Sequence, residues 1–153
     1  MTGTAHHRGP LPPVFFLAGL LIAIGLHFKL PLATLIAAPW TWLGLLPLVL
    51  GLGITVMAAR TFARAGTAIR PFHESSALVT SGMYRYTRNP MYLGMVLVLL
   101  GAAVLLGSLT PFAMPPLFAL IIQMRFIRHE EAMLQNRFGE QYREFRARVR
   151  RWI

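Results

Sequence analysis

The chain has 153 residues, the length of one domain; 56% are hydrophobic and only 13% are charged. With mean hydropathy of +0.56 and several apolar runs near the roughly 20 residues that cross a bilayer, this excludes an ordinary water-soluble globule and indicates an integral membrane protein. The absence of cysteine excludes a disulfide framework, a thiolate metal site and a catalytic thiol, and the net charge of +10 flanks apolar runs, which assigns it to lipid headgroups rather than nucleic acid.

Residues 1–13 are polar and carry Pro10, Pro12 and Pro13, as a short flexible arm would. A first span is predicted over 14–28. Arg8 is the only firm charge before it and no small-residue cleavage site follows, so it reads as a retained helix rather than a signal peptide. Lys29 and Pro31 interrupt the run, and the stretch PLATLIAAP either continues at the interface or re-enters. Trp40 and Trp42 read as aromatic-belt anchors opening a second span over 42–59, whose extension carries Arg60 and Arg64 and ends at Gly66 as a cap.

Residues 67–90 form the longest polar connection and hold Arg70, Glu74, Arg85 and Arg88. A third span is predicted over 91–106, a tight turn at Gly107 and Ser108, and a fourth span that begins near Pro111, Pro115 and Pro116. Proline is tolerated there because the first turn of a helix loses no intrahelical donor. That span ends near Ile127 and runs on into a polar helix. In the tail over 129–153, Leu134, Phe138, Tyr142, Phe145, Val149 and Trp152 recur at three- and four-residue steps. They predict one amphipathic helix lying along the inner leaflet or covering a site.

Four spans place both termini on one side. Arg8, the five arginines over 60–88 and the eight after Gln123 share that side, fourteen against Lys29 alone. By the positive-inside rule both termini and the central loop are cytoplasmic, in the cytoplasmic membrane. The expected fold is therefore all-α, with four transmembrane helices and a C-terminal amphipathic helix. It forms a single domain over 1–153: an arm (1–13), two spans (14–66) and a core that binds a cofactor (67–153).

Two polar clusters carry the chemistry. GMYRYTRNPMYLG places Tyr84, Arg85, Tyr86, Arg88, Asn89, Pro90 and Tyr92 where an apolar helix starts. Arg125, Arg128, His129, Glu130 and Glu131 stand where the fourth span ends, so a short-looped hairpin brings both clusters to one depth. Adjacent acids at a membrane boundary are costly unless paired or functional. S-adenosylmethionine suits such a set: aromatic faces for its sulfonium, arginine or backbone N–H for its carboxylate, a glutamate for ribose or amine. Methyl transfer rests on proximity, orientation and desolvation rather than on a protein nucleophile. Each residue also has a plainer reading, as belt tyrosine, inside arginine or first-turn glutamate, and their order favours the site. Gly51-Leu52-Gly53 lacks the rest of a dinucleotide loop, and His129 with Glu130 and Glu131 lacks metalloprotease spacing.

The string TSGMYRYTRNPMYLG, followed by EEAMLQNRFGEQYREFRARV, resembles the isoprenylcysteine carboxyl methyltransferase family and the related phospholipid methyltransferases over roughly 78–149. The resemblance implies a methyltransferase whose S-adenosylmethionine pocket lies at the cytoplasmic face. It implies cofactor contacts from Ser76, Ala77, Leu78, Val79, Tyr84, Asn89, Pro90, Met91, Tyr92 and Glu130, to which Arg88 is added as a brace for either glutamate. Arg125, Arg128 and Glu131 are then the candidates on the side of the acceptor. Asn89 replaces a frequent family histidine. Phe126 replaces the arginine that faces the substrate carboxylate in the carboxyl methyltransferases, which argues against a prenylcysteine substrate. The expected function is methylation of a lipophilic small molecule or lipid. A membrane reductase of the sterol-reductase kind and a non-catalytic membrane subunit are the alternatives. The acceptor atom and the oligomeric state stay open.

Overall fold

The computed structural model describes residues 10–66 and 77–153, and they are helical with only an isolated bridge between Thr34 and Ser108. Helix α1 spans Pro12–Lys29 and opens on proline, whose missing N–H costs nothing at that position. A 3-10 turn, Trp40–Gly44, leads into α2, Leu45–Arg64. Helix α3, Pro90–Leu106, again opens on proline and closes at Gly107 with φ +74°, the left-handed cap that glycine adopts at little cost. A further 3-10 turn, Thr110–Ala113, precedes α4, Met114–Ile122. A π turn, Gln123–Ile127, joins α4 to α5, Arg128–Phe138, and α6 spans Glu140–Arg148.

Pro12–Lys29, Trp40–Arg64 and Thr110–Phe138 are long and apolar enough to cross a membrane, and α3 is a shorter apolar helix of 17 residues. These four correspond to the expected spans, and the all-α class holds. Gly66 takes φ +64° just beyond α2, as its reading as a cap requires. Leu21 and Leu46, at 69% and 73% exposure, typify the apolar outer surface of α1 and α2, as expected of helices that face lipid.

Helix α3 is the centre of the bundle, in contact with α1, α2 and α4. Its approach to α2 is set by glycine. Gly44 and Gly51 face Gly101 and Gly94, and both pairs are seven residues apart in sequence, two turns of helix. A Cβ on Gly51 would stand 2.5 Å from the Gly94 carbonyl oxygen, and one on Gly101 2.6 Å from the Gly44 oxygen. A Cβ on Gly94 would collide with Thr55 Oγ1, which donates to the Gly51 oxygen at 2.9 Å. Lipid gives helices no hydrophobic drive to associate, so close backbone packing carries this contact.

At the far end from the polar clusters, the amides of Leu35 and Ile36 donate to the Gly107 oxygen at 2.8 and 3.0 Å, and Leu109 donates to Ala33 at 2.9 Å. His27 Nδ1 lies 2.8 Å from Ser108 Oγ. The PLATLIAAP stretch is thus an irregular strip tied to the α3–α4 turn, and Lys29 marks this end.

The tail departs from expectation. It is two helices broken at Gly139, φ +50°, followed by an extended segment from Val149, rather than one unbroken helix. Leu134, Phe138, Tyr142, Phe145 and Val149 still share one apolar cluster, because the bend folds both helices over Ala58, Val79 and Tyr84. Gly139 ahead of an acid is a helix-stop, helix-start signal that the unbroken periodicity concealed.

Substituting Gly94→Ala is expected to destabilise the fold by the roughly 1–3 kcal/mol typical of overpacking. Gly53→Ala, which has open space within 4 Å, is expected to be neutral or better. Thermal unfolding in detergent compares them; equal midpoints would refute the role given to the α2–α3 seam.

Candidate active site

The site starts from the entry to α3. The Asn89 amide donates to Thr87 Oγ1 at 3.1 Å, Pro90 takes the first helical position, and Tyr92 follows within the first turn. On the facing side the π turn buries Phe126 and Ile127 and delivers Glu130 and Glu131 into the first turn of α5. The two helices meet where the hairpin argument places them. Tyr92 Oη donates to Glu130 Oε1 at 2.7 Å.

Glu131, one residue on, faces a different set. Arg88 Nη1 lies 3.1 Å from Glu131 Oε1, and Arg151 forms a two-pronged pair, Nε to Oε1 at 2.9 Å and Nη2 to Oε2 at 2.7 Å. The side chains of Arg88 and Glu131 are only 8% and 13% exposed. At that depth an acid without a cation would carry a heavy desolvation cost, so the arginine pair is a condition for the fold. The Glu131 bond and charge hold the Arg151 guanidinium above its ordinary pKa. Arg88 Nη1 also donates to Tyr142 Oη at 3.1 Å, while its buried Nε has no hydrogen-bond partner in the structure.

Tyr84 forms the third wall. It is 6% exposed and lies edge-on to Phe62 at 5.2 Å, in the cluster of Val79, Tyr142, Phe145 and Val149. Burial first, and the negative charge of Glu130 second, push its phenol well above the ordinary tyrosine range. Tyr84 therefore stays neutral at physiological pH.

The segment after α6 closes the arrangement. The Arg150 oxygen accepts from the Arg88 amide at 3.0 Å. The Arg151 oxygen accepts from Thr87 Oγ1 at 3.2 Å and from Asn89 Nδ2 at 2.9 Å. Trp152 Nε1 donates to Gln123 Oε1 at 2.9 Å and packs on the cluster of Tyr92, Phe126 and Ile127.

Among the residues expected from sequence, Tyr84, Arg88, Asn89, Pro90, Met91, Tyr92, Glu130 and Glu131 come together, and Leu78 and Val79 pack on the same wall. Ala77 is exposed, and Ser76 lies outside the described residues. Arg88 braces Glu131. Arg125 and Arg128 are exposed; the Arg125 guanidinium stands 5.6 Å over the Phe15 ring. Phe126 is 1% exposed and edge-on to Phe15 at 5.7 Å. Sequence reasoning missed Thr87, Gln123, Tyr142, Arg151 and Trp152 as parts of this site. Only the apolar spacing of Tyr142 and Trp152 hinted at them.

Neutral phenol faces, one carboxylate held by a phenol, and backbone and amide groups at a helix mouth form a donor set suited to a cation that also carries polar groups. The sulfonium, amine and diol of S-adenosylmethionine fit that chemistry.

The sequence pattern of the phospholipid methyltransferase family matches residues 39–141. The chain is 35% identical over 97 residues to the protein-S-isoprenylcysteine O-methyltransferase of Schizosaccharomyces pombe, covering 61% of this chain and 39% of that protein. It is 30% identical over 115 residues to a probable protein-S-isoprenylcysteine O-methyltransferase of Oryza sativa subsp. indica, covering 71% of this chain and 58% of that protein. The chain thus spans less than two thirds of either relative's length. No solved structure matches it.

Replacing Glu131→Gln leaves the guanidiniums of Arg88 and Arg151 facing each other without an acid. A loss of about 3 kcal/mol is expected, the scale of a broken buried pair. Unfolding in detergent at neutral pH measures it, and an unchanged midpoint would show that Glu131 is dispensable to the fold.

Proposed function

The chain belongs to the phospholipid methyltransferase family, and we propose that it is an integral membrane methyltransferase that uses S-adenosylmethionine and modifies a lipophilic small molecule or lipid. The observation that carries this reading is the Tyr92–Glu130 bond, which joins the helix mouths of α3 and α5 into one polar, aromatic-walled site.

When bound, the cofactor supplies a sulfonium methyl group that passes by in-line displacement to an acceptor atom. The residues contribute the surroundings. The faces of Tyr84 and Tyr92 line the sulfonium and adenosine, and Glu130 accepts from ribose or amine groups. The backbone at 77–79 and the groups of Asn89, Pro90 and Met91 complete the cofactor side. Ser76 is carried as a contact by the family resemblance alone. Arg88, held by Glu131, keeps the entry to α3 in place. Burial of this wall excludes water, which sharpens every electrostatic contact within it. Arg125 and Arg128, exposed where the last span ends, are assigned to the acceptor's polar end.

The charges support an orientation. Arg60, Arg64, Arg85, Arg88 and the tail arginines gather at the site end of the bundle, and Lys29 stands at the other. In a cytoplasmic membrane the positive-inside rule puts the site and both termini in the cytoplasm.

Glu130→Ala is expected to abolish S-adenosylmethionine binding in detergent calorimetry. Tyr92→Phe is expected to weaken it by about tenfold, the scale of one hydrogen bond to a charged group. Methyl-labelled cofactor and total membrane lipids should yield a labelled lipid. Undiminished affinity in Glu130→Ala would remove that residue from the site.

A further inference from the structure

The segment 149–152 makes more specific bonds than a surface tail requires. Four successive residues each engage the site wall. Val149 is buried beside Tyr84, and Arg150 offers its carbonyl to the Arg88 amide at 3.0 Å. Arg151 uses both ends: its carbonyl takes the Thr87 hydroxyl and the Asn89 amide, and its guanidinium takes Glu131 in two prongs. Trp152 reaches the π turn through Gln123. The strap therefore ties the loop before α3 to the helix that carries both acids. It adds to the direct Arg88–Glu131 pair that already joins those two elements on this side.

Its placement also decides what it does. Glu130 and Glu131 are consecutive, so their side chains diverge by about 100° around α5. Tyr92 meets Glu130, while Arg88 and Arg151 meet Glu131. The strap meets α5 at Glu131 rather than at Glu130, the acid assigned to the cofactor. A guanidinium fork is suited to such bracing, because two parallel bonds fix the carboxylate in angle as well as distance.

We propose that Arg151 and Trp152 are positioning residues. They fix the rotation of α5 and the entry to α3, so that Asn89, Tyr92 and Glu130 converge on the cofactor; this rests on the function proposed above. The strap acts through Glu131, Asn89 and Gln123 without touching the ligand.

The test is calorimetric titration of detergent-solubilised full chain with S-adenosylmethionine, comparing wild type with Arg151→Ala, Arg151→Lys and Trp152→Phe. Arg151→Ala is expected to raise Kd at least tenfold. Arg151→Lys, which keeps the charge but loses the fork, should fall between it and wild type. Trp152→Phe, a single lost bond on a partly buried ring, should raise Kd severalfold, and it keeps the test open if Arg151→Ala does not fold. A purely structural role would instead reduce the stoichiometry and leave the Kd of the remaining protein unchanged. Equal Kd in wild type and all folded variants overturns the positioning role alone. Failure of the wild type to bind overturns the functional reading, and this inference with it.

Discussion

Two adjacent carboxylates end the last hydrophobic helix, and the other polar features of that end of the bundle answer to them. A phenol satisfies Glu130 and two arginines satisfy Glu131. Water at the membrane boundary is too scarce to do this cheaply. Once those partners are required, the loop before α3 must reach α5, and the chain beyond α6 must return to it. The apolar cluster around Tyr84 and Tyr142 is what makes that return favourable, since it buries the aromatic face of α6 on the same wall.

The membrane part supplies rigidity rather than chemistry. Two glycine pairs let α2 and α3 touch backbone to backbone, so α3 enters the site from a fixed position. Strapping of the 30–36 strip to the Gly107 turn holds the opposite end of the same hairpin. Helix α1 buries little of its own surface and lies against α3 and α4, with Phe15 reaching Phe126. The rigid seam and the chemistry thus share α3.

The sequence disclosed these parts unevenly. Apolar runs, prolines at helix starts and glycines at helix stops were enough to place the spans, because each signal is local. The clusters that hold Tyr92 and Glu130 could be brought to one depth because a short hairpin leaves few alternatives, but the acids were expected to pair with arginine, and the phenol that meets Glu130 follows only from packing. The bend at Gly139 was hidden by a periodicity that continues on both sides of it, and its cause is tertiary: both helices share one apolar partner. Arg150 and Arg151 looked like ordinary inside charges, since nothing local marks a carbonyl that will serve Asn89 and Thr87. The glycines of α2 were visible, but their partners on α3 follow only from packing.

The π turn at Gln123–Ile127 has a consequence for how this helix tolerates change. A π turn holds one residue more than regular α-helix over the same rise, so everything beyond it is rotated by about 100° relative to an uninterrupted helix. The azimuth of the two acids is therefore uncoupled from the face that α4 shows to its neighbours. Removing a single residue here would leave the hydrophobic segment seated as before and swing both carboxylates off their partners. The molecule carries its phase setting in one loosened turn between the apolar half of this helix and the half that bears the two acids.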